Sequence, residues 1–469
     1  MSVENSSGIL VTLSDLIGVT EAALKLLLTV LAGYPLAFVH RKYLYGKDEN
    51  LQHLFFTFSG LLLGYWNYGV DIFHCVFTIF FTYCTLLILK GAAVSVAVTF
   101  IFNLSYLLIG YYYNSTDDYD INWTMPYCIL VLRLIGIAYD FYDGHQPLEK
   151  LSADSKKVAL DRRPGFLEML GHCFFPSGFL VGPQFPLKRY RDFVSGKFSR
   201  KGTSDQPPDC VHAAIMRFAL GVFYIVVFQI LKLFVTDEYL LTDEFGSSNF
   251  LRRMLLLGMW GRHTLYKYIS CWLLSEGACI LFGLAYNGDD ENGSPKWDGV
   301  ENIKLTIFEN TTEFNHYIKS FNLNTNQWVA QYVYKRLKFL GNRYVSQFAA
   351  LLFLAVWHGY HTGYYVCFFF EFIVMYMERD IKSIVKSNEK LSNFFSSSTV
   401  QLPLQILLRV YTFVFMGWCL LPFALLNFER YWKAFGNASY VGIMLFVMWP
   451  LLYAPILKYF LKKKRGKAE

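Results

Sequence analysis

Long apolar runs recur almost from one end of the chain to the other, at roughly 22–40, 54–66, 72–90, 93–112, 125–142, 211–235, 250–265, 268–286, 344–359, 363–379, 403–426 and 439–460. The runs are continuous rather than alternating, which predicts helices and not strands. Most approach the roughly 20 residues that cross a bilayer. A membrane β-barrel would instead show alternating segments of about ten residues. Several runs are short or carry an internal charge, so the pattern predicts an all-α polytopic bundle of about ten or eleven transmembrane helices. Polar interruptions are brief except at 144–164, 186–210, 236–249 and 287–327, the last holding the turn-rich NGDDENGSPKWDG. Neither an internal repeat nor a low-complexity tract divides the chain. The expected organisation is an N-terminal segment over 1–21, one membrane domain over 22–460 and a basic tail over 461–469.

Composition agrees with this pattern. Of 469 residues, 54% are hydrophobic and only 17% charged, against about 25% charged in soluble chains. Residues 1–21 lack a basic n-region and contain Glu4, Asp15 and Glu21, so targeting is expected to come from the first true span. The nine cysteines are scattered, without a CxxC pair, and read as small buried hydrophobes. A net charge of +7 is modest and is densest in the tail KKKRGKAE. That favours a cytosolic C-terminus by the positive-inside rule over nucleic-acid binding.

Ionisable groups inside apolar runs are functional hypotheses by default. Arg133 and Asp140 lie seven residues apart and share a helix face, with Asp143 nearby, as an interhelical clamp would. Lys267 and Glu276 suggest a structural pair. Gly182-Pro183 breaks helix geometry and predicts a re-entrant bend; Lys188, Arg189 and Arg191 follow it as an interface cluster. In SFNLNTNQWVAQYVYKRLKFLGNR (320–343), Thr325 or Asn324 is a plausible helix N-cap and Gly341 suits the position just past the helix end. Capping explains Asn324 or Asn326 but leaves Asn322 over. Finally, AVWHGYHTGYYVCFFFEF (355–372) ends a wholly apolar run in His358, with His361 three residues on and Glu371 beyond. Zinc needs three or four ligands. With neither HExxH nor a cysteine cluster nearby, no metal is expected.

Imidazole titrates near neutrality, so a histidine there can take a proton from a hydroxyl and pass it on. A neutral carboxamide can donate to a developing oxyanion without bringing a buried charge. An asparagine upstream and a histidine downstream would therefore suffice for acyl transfer, with no GxSxG nucleophile. This reading permits acyl transfer without singling it out.

The two stretches together resemble the membrane-bound O-acyltransferase family: a polar segment with a key asparagine, then a histidine in an apolar run 36 residues later (358 − 322). FNLNTNQWVAQYVYKRLKFLGN (321–342), FLAVWHGYHTGY (353–364), YLLIGYYY (106–113), YDINWTMPYC (119–128) and FLVGPQF (179–185) are similar to its lysophospholipid acyltransferase branch. The resemblance covers roughly 22–460. It implies a catalytic tunnel through the bundle, with His358 as catalytic base and Asn322 as its partner. It implies acyl-CoA as co-substrate, with no resident cofactor. The acceptor it implies is a lysophospholipid from the bilayer, lysophosphatidylcholine first, acylated at its sn-2 hydroxyl. Asn326, Trp328, Lys335, Arg336, Trp357 and His361 are the further candidates for substrate binding, with Lys335, Arg336 and Lys338 placed to meet phosphates. An endoplasmic reticulum membrane location follows by the same analogy, although the terminus GKAE lacks a dilysine signal. The oligomeric state stays open, a homodimer included. Two other readings compete: a protein or sterol acceptor for the same chemistry, and a transporter using Glu276, Arg133 and His358. The second would show broken helices in matching halves, which the sequence lacks.

Overall fold

The computed structural model describes residues 8–114, 116, 121–199 and 206–461. The basic tail beyond Leu461 lies outside them, so its cytosolic placement has no structural counterpart here. The apolar runs form helices with side-chain caps at several ends. Thr20 accepts from the Ala23 N–H and opens α1 (Glu21–Tyr43); Asp48 accepts from Asn50 and Leu51 and opens α2 (Glu49–Tyr68). A single 3₁₀ turn at Gly69–Ile72 leads to α3 (Phe73–Leu89). Then follow α4 (Ala93–Asn114), α5 (Thr124–Asp143), the short α6 (Phe166–Cys173) and α7 (Leu187–Val194), and α8 (Val211–Lys232). The next helix, α9 (Phe250–Phe282), merges two expected segments. Lys267 interrupts the hydropathy there, but lysine is a good helix former and does not interrupt the backbone. The C-terminal part holds the short α10 (Leu323–Val329), then α11 (Arg343–His358), α12 (Thr362–Ser387) and α13 (Ser398–Leu425). Among the described residues, β-type pairing is confined to the isolated bridges Asp289–Pro295 and Ile303–Phe321.

Seven helical stretches among the described residues are long and apolar enough to cross a membrane: 21–43, 49–89, 93–114, 124–143, 211–232, 398–425 and 443–461. Helix α11, at 16 residues, is shorter than these. Large side chains such as Phe58, Ile101 and Leu407 stand well exposed on these helices, as lipid-facing residues do.

The chain packs as two compact units interleaved in sequence. One comprises Met1–Tyr224, Tyr268–Asn302 and Leu323–Leu337; the other comprises Ile225–Lys267, Ile303–Asn322 and Lys338–Glu469. In the first, α5 is the innermost span. Its Arg133 is fully buried and does not pair with Asp140. The guanidinium instead donates to the carbonyls of His172 (2.8 Å), Cys173 (3.0 Å), Gly178 and Pro183 (3.3 Å), and to Gln184 Oε1 (3.3 Å). The non-helical bend between α6 and α7, with Gly182 at φ +85°, is thereby supplied with donors. Backbone without helical bonds is tolerated at membrane depth only when satisfied in this way.

The cations after the bend are also structural. Arg189 donates to the carbonyls of Leu284 (2.9 Å) and Tyr286 (2.8 Å), Arg191 pairs with Glu168, and Lys188 pairs with Asp192. Glu276 pairs with Arg217 of α8, whereas Lys267 falls in the other unit.

In the second unit, α9 and α13 approach until backbones touch: a methyl group on Gly261 would stand 2.4 Å from the Gly417 Cα. Small residues at such crossings are how membrane helices gain packing contacts when lipid already solvates their apolar faces. Trp418 of α13, wholly buried, packs on Phe370 of α12 at 4.5 Å and on Phe435 at 4.7 Å.

Candidate active site

His358 is the last residue of α11, and Gly359 (φ +132°) turns the chain away immediately after it. Its half-buried ring is enclosed by aromatic rings. Trp357 lies at 4.7 Å, Tyr364 at 5.4 Å, Phe368 at 5.6 Å and stacked, and Phe423 at 5.0 Å edge-on. Tyr364 and Phe368 are one turn apart on α12, and Phe423 comes from α13. The site thus draws on three helices of one unit. Tight entry of α12 makes this possible, since the Gly363 N–H donates to the Leu426 carbonyl (3.1 Å) and a methyl group at Gly363 would meet the Pro422 carbonyl. His361 stands at the residue before α12 and meets Tyr364 at 6.0 Å, so the two histidines share one aromatic neighbour. Trp357 is buried. Glu371 is half-buried on α12, close to one turn past Phe368.

Asn322 belongs to the same unit as His358. Its backbone is left-handed, φ +50°, directly ahead of α10. Asparagine is one of the few non-glycine residues that tolerate this region. The helix begins at Leu323, two or three residues earlier than a cap at Asn324 or Thr325 implies. Asn324 has another task. Its Nδ2 donates to the carbonyls of Val300 (3.2 Å) and Glu301 (3.1 Å), and its N–H to Asn302 Oδ1 (3.0 Å).

The remaining candidates, Asn326, Trp328, Lys335 and Arg336, lie in the first unit. Asn326 is half-buried on α10. After α10 the chain widens into a π-helix over Ala330–Tyr334 and tightens into a 3₁₀-helix over Lys335–Leu340, ending at Gly341 (φ +68°) as the sequence predicts. Along this segment Trp328, Tyr332 and Arg336 recur every four residues. Trp328 Nε1 donates to the Leu132 carbonyl (2.8 Å), Tyr332 Oη to Asp140 Oδ1 (2.6 Å), and Arg336 makes a two-pronged pair with Asp143, Nη1–Oδ1 at 3.0 Å. The Arg336 guanidinium also lies over the Tyr139 ring at 4.8 Å. Lys335 pairs with Asp154, whose carboxyl is held below its ordinary range chiefly by that hydrogen bond. Two of the three cations expected to meet phosphates, Lys335 and Arg336, thus already have carboxylate partners.

Sequence reasoning missed Arg217 and Asn302. Arg217 is an arginine inside an apolar run, a signal available by the rule that picked out Arg133. Asn302 lies in a long polar loop where nothing in the residue pattern marks it.

The description "MBOAT, membrane-bound O-acyltransferase family" matches residues 108–425. A protein of Drosophila melanogaster named lysophospholipid acyltransferase 5 is 45% identical over 98% of this chain and 93% of its own length. The Homo sapiens protein of that name is 39% identical over 93% of this chain and 89% of its own, and that of Caenorhabditis elegans 36% over 96% and 95%. The match spans the bend held by Arg133, the asparagine segment and the aromatic enclosure of His358, and the chain belongs to the membrane-bound O-acyltransferase family.

Proposed function

We propose that this protein transfers an acyl group from acyl-CoA to the free sn-2 hydroxyl of a lysophospholipid, lysophosphatidylcholine first, in the membrane of the endoplasmic reticulum. The observation that carries the reading is near-full-length similarity, at 36–45% identity, to proteins named lysophospholipid acyltransferases. It is supported by a histidine at a helix end inside an aromatic enclosure, in the same unit as Asn322.

In this mechanism His358 accepts the proton of the acceptor hydroxyl as the oxygen attacks the thioester carbonyl. The carboxamide of Asn322 donates to the oxygen on which charge gathers. The carbon–sulfur bond then breaks, and the CoA sulfur leaves with the proton returned through the imidazole. Aromatic walls exclude water, which would otherwise compete for the acyl group. Trp357 and His361 shape the wall, and Asn326, Trp328, Lys335 and Arg336 hold the segment that follows Asn322.

The test uses purified protein in lipid nanodiscs with labelled acyl-CoA and a panel of lysophospholipids, a sterol and a peptide as competing acceptors. Labelled phosphatidylcholine should form, and His358→Ala should abolish it while the protein keeps its thermal midpoint. Transfer to the sterol or peptide alone would replace the acceptor, and full activity in His358→Ala would remove the proposed base.

A further inference from the structure

Asn322 is held in a left-handed backbone conformation, which persists only where its surroundings over-determine it. Those surroundings can be read from the two amides that follow it. The Leu323 N–H donates to the Asn302 carbonyl (3.0 Å), and the Asn324 N–H donates to Asn302 Oδ1 (3.0 Å), which also accepts from Asn324 Nδ2 (3.1 Å). Asn302, 2% exposed, is itself anchored: its N–H donates to Glu276 Oε1 (2.7 Å). The other oxygen of Glu276, on α9, accepts from Arg217 Nε (2.6 Å) and Nη2 (2.5 Å), and Arg217 Nη2 also meets Glu301 Oε1 (3.2 Å).

The chain of bonds therefore runs from α8 through α9 to Asn302 and on to the start of α10. Such a network is a poor way to gain stability. Burying an ion pair costs about as much desolvation as its attraction returns. It is a good way to fix geometry, because each bond is directional and each partner is itself held.

We propose that Arg217, Glu276 and Asn302 form a positioning network that sets the carboxamide of Asn322 for acyl transfer. The inference rests on the acyltransferase reading above and adds three residues to it. None of the three touches substrate; they act through the two amides after Asn322. A displacement of about 1 Å at a reacting group costs on the order of a hundredfold in rate, so loosening these amides lowers turnover before it alters binding.

The experiment measures kcat, KM for both substrates and thermal midpoint for Asn302→Ala, Asn302→Asp and Glu276→Gln in nanodiscs. Asn302→Ala should lower kcat by tenfold or more with each KM within twofold. Asn302→Asp, which keeps an acceptor oxygen for the Asn324 N–H, should recover most of that loss. Should Asn302→Ala not fold, Asn302→Ser, with its shortened acceptor, reads the same split. Turnover within twofold of wild type in Asn302→Ala, or a loss tracked by a falling midpoint and not recovered by aspartate, overturns the network. An inactive wild type overturns the acyltransferase reading, whereas an active wild type beside a fully active Asn302→Ala overturns this inference alone.

Discussion

At Asn322 the left-handed backbone and the carboxamide can be separated by substitution. Glycine accepts φ +50° without strain but has no amide. Asn322→Gly should therefore keep or raise thermal stability, by up to about 1 kcal/mol, while losing most acyl transfer. Asn322→Val lacks the amide too and adds a β-branched side chain where φ is positive, so it should lose stability as well as activity, by about 1–3 kcal/mol. Calorimetry beside the transfer assay separates the two variants. Equal stability in both would mean the conformation is not enforced. The residue pattern showed His358 and left Asn322 over after capping, because both are polar groups that an apolar or helical context fails to explain. It could not show Asn302, whose role depends on bonds to Glu276 and Asn324, 26 and 22 residues distant. Nor could it pair Arg133 with carbonyls 39 to 50 residues away, because a bend's unsatisfied acceptors leave no mark in the sequence.

The segment after α10 shows what an element can do by changing its pitch. In a regular α-helix, residues at i, i+4 and i+8 drift by roughly 80° around the axis. Here the wider π turn lags and the tighter 3₁₀ turn leads, so Trp328, Tyr332 and Arg336 reach successive acceptors on one helix, α5. Asp143 is completely buried, so Arg336→Ala leaves a carboxylate without its cation and should destabilise the first unit by about 3–5 kcal/mol. Tyr332→Phe, losing one bond to Asp140, should cost about 1–3 kcal/mol. Deleting Ala330 or Gln331 returns the turn to α pitch, turns Tyr332 away from Asp140 and should be at least as harmful as Tyr332→Phe. Thermal unfolding in nanodiscs checks all three, and a tolerated deletion would count against the alignment. Hydropathy showed an amphipathic helix here and Gly341 at its end, but a change of pitch is set by the partner surface and not by local pattern.

For the molecule as a whole, most apolar runs emerged as helices, since twenty residues of continuous hydrophobicity leave the backbone little else to do in lipid. The two units were not legible, because they are defined by contacts far apart in sequence. The Lys335–Asp154 pair in the first unit also gives a pH dependence. Asp154 is depressed when folded, so its contribution is present above the ordinary aspartate range and is lost as pH falls through the folded value. Both partners are about a third exposed, so Asp154→Asn should cost under about 1 kcal/mol at pH 7 and less near pH 3, as paired melts would show. The interleaving has a consequence for how the chain is made. The first unit begins with the earliest helices but receives its last part only at Leu323–Leu337, after most of the protein has been synthesised. Until then Asp140 and Asp143 on α5 wait without Tyr332 and Arg336. A polypeptide released at residue 322 should accordingly be caught by quality control and degraded, and one released just after residue 341 should outlive it.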